Sequence, residues 1–162
     1  MMDKEFELNK IKEESRLMIN ATLLGICFTA FTFLIALNVD LLKGNLLLTL
    51  QLVCSIPLFM TSLLARSKAS YTLGRRGWKK LGFVTYLLGY AFLINVIGMF
   101  LISFIFLTVG LIFYVMNIGL AITYSTIEVI QDNSRFKERL VKDLTFILIL
   151  VLLGILPSLG VY

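Results

Sequence analysis

Residues 81–125 read LGFVTYLLGYAFLINVIGMFLISFIFLTVGLIFYVMNIGLAITYS and contain no charged side chain. A transmembrane helix needs about 20 apolar residues to cross a hydrocarbon layer about 30 Å thick. This stretch is more than twice as long as one span requires, so it predicts two helices joined by a tight turn. Asn and Gly interrupt the apolar run near Asn95–Gly98, and we expect the turn there. The third span is then expected at residues 80–97 and the fourth at 101–125.

Three further apolar runs complete the pattern, at residues 18–37, 46–65 and 144–160. The first is longer than the apolar region of a signal peptide, about 7–15 residues, and no small-residue cleavage site follows it, so we expect it to stay attached. Hydrophobic residues make up 59% of the chain, against about 45–50% in soluble domains. The sequence therefore predicts an all-α integral membrane protein, a bundle of five transmembrane helices in a single membrane domain, 1–162.

The basic residues predict the orientation of these spans. Lys and Arg in short loops favour the cytoplasmic side of a membrane. Of the 15 Lys and Arg residues, all but Lys43 lie before span one, after span two or after span four. A chain with four spans would place one of those basic loops on the wrong side. We therefore expect a multi-pass protein of a bacterial-type inner (plasma) membrane, with the N-terminus cytoplasmic and the C-terminus outside.

Two charged segments are expected on the cytoplasmic side. Residues 1–17 are predicted to form a helix that runs directly into span one, because their charges are spaced three and four residues apart. Residues 126–143 are predicted to be a loop and helix leading into span five. The residue types at 132–134 favour helix N-termini, so we expect a break there.

Small and polar residues follow one face of each of the first four spans. In a bilayer such residues indicate helix packing or a polar path, because hydrophobicity does not distinguish a packed face from a lipid-facing one. Their spacing is that of a left-handed packing seam. Span five is almost wholly aliphatic, so spans one to four are expected to form the core and span five the periphery. The candidate helix-packing or pore-lining residues are Thr22, Gly25, Thr29, Thr32, Gln51, Ser55, Pro57, Gly110, Tyr114, Asn117 and Tyr124. Pro57 is also expected to bend span two.

The loop after span two is strongly basic and contains no acid. Basic loops of this kind orient a membrane protein during insertion, and they can also contact lipid headgroups or a cytoplasmic partner. Trp78 suits the headgroup layer, where its ring would act as an interfacial anchor. The candidate headgroup or partner contacts are Arg66, Lys68, Arg75, Arg76, Trp78, Lys79 and Lys80. Because the net charge of +5 lies in such loops, we do not expect nucleic-acid binding.

Nothing in the sequence predicts catalysis. Histidine is absent, and no glycine-rich phosphate loop or nucleophile–base set is present. The two cysteines, Cys27 and Cys54, lie in apolar runs and are expected to be buried, with no metal site and no cofactor. A membrane enzyme acting on lipid is the least supported of the function classes considered.

Two functions remain open from the sequence. The first is an interaction, regulatory or sensor subunit that forms homo-oligomers or tethers a cytoplasmic protein. The second is a passive channel or small-solute transporter lined by the Thr, Ser, Gln and Asn stripes. Apart from Lys80 at the first position of span three, the predicted spans contain no Asp, Glu, Lys, Arg or His, which counts against ion- or proton-coupled transport.

Overall fold

The structure is a computed structural model that describes residues 2–37, 43–71, 75–131 and 136–160. These residues are helical apart from short turns, and none of them forms a strand. The helices are α1 (Met2–Leu37), α2 (Leu46–Tyr71), α3 (Arg75–Phe104), α4 (Leu107–Gln131) and α5 (Phe136–Leu150). After α5 the chain continues through a π-helical turn, Val151–Ile155, into the short α6, Leu156–Ser158.

Within the described residues, five helical stretches are long and apolar enough to cross a membrane. They are Glu14–Phe33, Leu46–Ala69, Arg76–Phe104, Leu107–Ile127 and Arg139–Ser158. The prediction of an all-helical membrane protein with several spans is therefore confirmed. The cytoplasmic position of the N-terminus, the roles of core and periphery, and the single membrane domain stay predictions.

The turn between the third and fourth spans differs from its predicted position. Helix α3 continues through Asn95–Gly98 to Phe104, and the chain turns at residues 105–106. The prediction was wrong because Asn95 and Gly98 contact neighbouring helices from inside α3 (see below), and an unbroken helix satisfies its own backbone in a bilayer. The third helix therefore continues to Phe104 instead of ending at residue 97, and the fourth begins at Leu107 instead of residue 101.

The remaining boundaries follow the sequence more closely. Helix α1 runs without a break from Met2 to Leu37, so the charged N-terminal segment and span one form one helix, as predicted. Helix α2 begins at Leu46 as expected, but it continues past residue 65 to Tyr71 and passes through Pro57. The predicted break at residues 132–134 lies outside the described residues.

The helices form two compact units, residues 1–90 and 91–162. In the first unit α1 packs against α2, and the early part of α3 completes the core. Its buried apolar residues are Cys27, Leu48, Leu52, Phe59, Ala65 and Ala69. In the second unit α5 packs against α4, and the buried apolar residues include Val96, Met99, Tyr114, Phe146 and Leu150.

The π-helical turn lies directly before Pro157. The backbone N–H of Leu156 donates to the carbonyl of Val151, five residues back, where an α-helix would reach four. Pro157 has no backbone N–H, so the regular α-helical ladder cannot continue through it. Short π segments of this kind are rare and frequently occur at functional sites. The sequence pattern does not predict this turn.

Candidate functional site

A buried chain of hydrogen bonds joins the three helices of the first unit. The Asn20 Nδ2 group donates to Ser62 Oγ at 2.8 Å, and Ser62 Oγ donates to the backbone oxygen of Gly82 at 2.6 Å. Asn20 and Ser62 are both buried. A Cβ atom at Gly82 would lie 3.1 Å from Arg66 Cγ, so the absence of a side chain there permits the close approach of α2 and α3.

Arg66 lies inside this unit, although the sequence places it in a loop with the headgroup contacts. Only 6% of its surface is exposed, and its guanidinium carbon lies 5.7 Å from the centre of the Tyr86 ring. The reason is that α2 continues past residue 65, which keeps Arg66 on the same helical face as Ser62, four residues earlier. Arginine suits this position because its planar guanidinium stacks well on aromatic rings.

Aromatic contacts fix Tyr86 beside Arg66. Its ring stacks on that of Tyr90, with 6.0 Å between the centres and 8° between the planes. On α2, the Phe59 ring meets Tyr86 edge to face at 6.2 Å. A Cβ atom at Gly89 would lie 3.3 Å from Leu58 Cβ and 3.4 Å from the Phe59 ring, so α3 approaches α2 closely at this position. The interior of the first unit therefore combines a cation, aromatic rings and a polar relay.

The predicted stripe of span two lies on the buried face of α2. Gln51 and Ser55 are both buried, as is Ser62 on the same helix. Ser55 Oγ donates to the Leu52 backbone oxygen at 2.7 Å and lies 3.5 Å from Cys27 Sγ. The Ser55 hydroxyl thus bonds within the protein.

Pro57, in contrast, is exposed on α2. Its ring removes the hydrogen bond that Val53 O would otherwise accept. The nearby hydroxyl of Ser55 donates to Leu52 O instead of Val53 O.

Cys54 is also exposed, so the prediction that both cysteines are buried holds for Cys27 alone. A helix that faces lipid can expose small apolar residues without cost.

The predicted stripe of span one lies on the exposed face of α1. All four of its residues, Thr22, Gly25, Thr29 and Thr32, are exposed. Contact with α2 uses Asn20 and Cys27 instead, which are one heptad apart. Thr22 and Thr29 each follow one of them by two positions, a rotation of about 200° around the helix, so they point nearly the opposite way. The stripe is therefore not the seam that packs α1 against α2.

A shallow apolar groove follows this exposed face. It is lined by Thr22, Gly25, Ile26, Thr29, Ala30 and Phe33. The threonine hydroxyls donate to carbonyls of their own helix, Thr22 to Met18 O and Thr29 to Gly25 O, both at 3.0 Å. Their polar groups are therefore satisfied, and the groove presents methyl groups and a glycine backbone to its surroundings.

A second polar cluster lies in the 91–162 unit. Tyr114, fully buried, donates its hydroxyl to the backbone oxygen of Asn95 at 3.1 Å. The Asn95 Nδ2 group donates to Ile149 O at 3.3 Å. A Cβ atom at Gly98 would overlap the Tyr114 ring, and one at Gly154, in the π-helical turn, would overlap Asn95 Oδ1. The two glycines therefore make room for the cluster, and the signal that predicted a turn at Asn95–Gly98 marks a packing site.

The other candidates on α4 are Gly110, Asn117 and Tyr124. Gly110 is buried against Ile102, and the half-buried Asn117 donates to Phe113 O at 2.8 Å. Tyr124 is exposed, and Lys142 Nζ lies 5.6 Å from the centre of its ring. Lys142 also donates to Ser125 Oγ at 3.2 Å and pairs with Asp143 at 3.3 Å.

The remaining basic candidates surround the connection between α2 and α3. Lys68, Arg76 and Lys80 are exposed, Lys79 is half-buried, and Arg75 is the first residue of α3. Trp78 exposes 40% of its surface. The sequence between Asp40 and Glu128 contains no acidic residue. This region therefore has a strongly positive local charge.

Among the described residues, no three His, Cys, Asp or Glu side chains lie close enough together to hold a metal ion. Comparisons with protein-family models, with curated proteins and with solved structures find no significant match to this chain. Its function must therefore be inferred from its own residues and contacts.

Proposed function

We propose that this chain is a membrane-embedded interaction subunit that self-associates through α1, and that it works by binding instead of catalysis. The observation that supports this is the exposed stripe of Thr and Gly on α1. In a bilayer, hydrophobicity does not drive helices together, and small residues let two helices approach closely. The face opposite the α1–α2 contact carries such residues, and among the described residues of the unit it is exposed.

The proposed occupant of the groove is α1 of a second copy. Copies of one chain insert with the same topology, so their α1 helices lie parallel and at the same depth. Ala21, Gly25 and Thr29, all exposed, follow each other at intervals of four, the pattern of right-handed helix dimers in membranes. A two-fold dimer uses the same patch on both copies. Each copy can place its exposed Ile26 and Phe33 beside the groove of the other.

The charges of the N-terminal extension are compatible with this arrangement. Residues 3–16 hold five acids and four bases, so the extension is nearly neutral overall and two parallel copies would carry little net charge against each other. Complementary charges favour pairing and set its register. A regulatory or sensor role, in which the paired extensions hold a cytoplasmic protein, belongs to the same proposal, as does the inner-membrane location with a cytoplasmic N-terminus.

A passive channel is the alternative, and the exposed threonines of α1 are the feature that favours it. Gln51 and Ser55, which were also predicted to line a path, are buried within the first unit. Ser55 already bonds to Leu52 O. A channel would therefore depend on Thr22, Thr29 and Thr32 from several copies.

Subunit counting in liposomes tests the proposal. The full chain is labelled and reconstituted at decreasing protein-to-lipid ratios, and photobleaching steps give the fraction of dimers. We expect Gly25→Leu to weaken dimerisation at least tenfold, because a leucine side chain holds the two α1 helices apart. Gly119→Leu is the matched control, since Gly119 is exposed on α4 with no neighbour within 4 Å of a Cβ atom. A monomeric wild type, or equal effects of both variants, would contradict the proposal.

The same liposomes separate the channel from the interaction subunit. They are loaded with small ions and with neutral solutes, and efflux is followed after dilution. Flux that requires the wild-type chain and is lost in Thr29→Leu would favour the channel. Dimerisation without flux would favour the interaction subunit.

A further inference from the structure

We propose that the surface formed by Lys68, Arg76, Trp78, Lys79 and Lys80, here called the basic collar, selectively binds phospholipids with anionic headgroups. The collar lies on α2 and α3, whereas the proposed dimer contact lies on α1. The proposal therefore does not depend on self-association. It assigns a lipid surface as the partner of the end of α2 and the start of α3.

The first support is the position of the collar along the helices. One candidate span ends at Ala69 and the next begins at Arg76. Lys68 is therefore at the end of one membrane-spanning stretch, and Arg76 to Lys80 are at the start of the next. Side chains at the ends of spans lie at the depth of the lipid phosphates, where long Lys and Arg side chains reach the headgroups.

The second support is charge complementarity. Arg76, Lys79 and Lys80 are three and four residues apart, so they share one face of α3. The absence of acids between Asp40 and Glu128 leaves the collar positive along the sequence. Each Lys or Arg near an anionic membrane surface raises the binding constant for that surface roughly fivefold.

The third support is Trp78, which is 40% exposed between these cations. Tryptophan rings favour the headgroup layer, because the apolar part of the ring can face the hydrocarbon there while its N–H is solvated. Gly77, beside it, is exposed, and a Cβ atom there would meet nothing within 4 Å. The backbone next to Trp78 is therefore open to a lipid headgroup.

Arg66 shows that this sequence region does not act as one uniform positive loop. It is buried over Tyr86 inside the first unit, so it is excluded from the collar. If the basic residues serve only to orient the chain during insertion, the folded protein should not distinguish anionic from zwitterionic lipids. Selectivity of the folded protein for anionic lipids therefore distinguishes a lipid-binding surface from residues that only orient the chain.

Trp78 is the chain's one tryptophan and serves as the probe. The full chain is reconstituted in phosphatidylcholine with an increasing fraction of brominated phosphatidylglycerol or brominated phosphatidylcholine, and quenching of Trp78 gives their relative binding. We expect a severalfold preference for phosphatidylglycerol that falls as salt screens the charges. Equal quenching by the two lipids would overturn the proposal.

Matched charge variants test which residues are responsible. Arg76→Gln/Lys80→Gln should remove most of the preference, and Lys43→Gln/Lys137→Gln, with the same change in net charge, should leave it unaltered. Circular dichroism confirms that both variants remain folded. Equal loss in both pairs, or no loss in the collar pair, would overturn the assignment. Abolition of the preference by inorganic phosphate at constant ionic strength would also overturn it, in favour of a free-phosphate site.

Discussion

The carboxamide of Asn20 in α1 donates a 2.8 Å hydrogen bond to the hydroxyl of Ser62 in α2, and Ser62 in turn donates to the Gly82 carbonyl in α3. Both side chains are buried. Hydrogen bonds between helices stabilise membrane proteins because a buried polar group without a partner is costly in hydrocarbon. This relay therefore specifies how the helices of the first unit meet.

Replacing Asn20 with Leu should lower the free energy of unfolding by about 1 kcal/mol. Leucine has the same number of side-chain heavy atoms and the same branching at Cγ but cannot donate to Ser62, which keeps its own bond to Gly82. Unfolding in mixed micelles by increasing sodium dodecyl sulfate measures the change. Thr22→Val is the control, because Thr22 is exposed and bonds within its own helix. If the two variants lose equal stability, the relay is not what stabilises the unit.

Alanine at Gly98 or Gly154 should destabilise the second unit by about 1–3 kcal/mol. The new methyl group would overlap Tyr114 in one case and Asn95 in the other. Gly119→Ala meets no neighbour and should be neutral or should stabilise its helix by up to about 1 kcal/mol. The same unfolding assay compares the three variants. A Gly154→Ala variant as stable as Gly119→Ala would contradict the packing described for the π-helical turn.

Arg66 and Tyr86 should be energetically coupled. A double-mutant cycle with Arg66→Lys and Tyr86→Leu should give a coupling of about 1 kcal/mol, because lysine lacks the planar group that stacks on the ring. Lys68→Gln, two residues away and exposed, should change stability by less than about 0.5 kcal/mol. Strictly additive effects of Arg66→Lys and Tyr86→Leu would exclude a stabilising contact between these residues.

The predicted orientation can be tested by cysteine labelling in intact cells. In a Cys27→Ala/Cys54→Ala background, a membrane-impermeant maleimide should label Lys43→Cys directly. It should label Lys137→Cys only after permeabilisation. The positive-inside rule places these two positions on opposite sides. Labelling of Lys137→Cys alone in intact cells would reverse the topology, and labelling of both would exclude an odd number of spans between them.

The number and nature of the spans could be predicted from the sequence because length and hydropathy are local properties. The position of the third turn could not. Asn and Gly are typical of turns in water, but in the second unit Asn95 bonds to Ile149 O and Gly98 makes room for Tyr114. The turn itself lies at residues 105–106, Ile and Phe, which carry no turn signal. Tertiary contacts determine both positions.

The candidate residues divide in the same way. The buried stripe of α2 agrees with the pattern of small and polar residues, since every polar member packs inside. On α1 the same kind of pattern lies on the exposed face of the helix, because Asn20 and Cys27 provide the contact with α2. The sequence predicts Arg66 as a loop residue, whereas α2 extends to Tyr71 and holds Arg66 inside the unit. Periodicity identifies a distinctive face of a helix, and only the neighbouring helices decide what that face meets.

The unbroken course of α1 has a mechanical consequence. At 1.5 Å per residue the helix is about 54 Å long, roughly 24 Å more than the hydrocarbon thickness. Because the helix has no break between its charged N-terminal part and its membrane-spanning part, a twist applied near the N-terminus must turn Gly25 and Thr29 with it. A protein bound to the N-terminal end of α1 would therefore set the direction in which this face points within the bilayer. If the N-terminal end binds a partner and the groove on α1 pairs two copies, as proposed, both interactions depend on one rotation of the same helix.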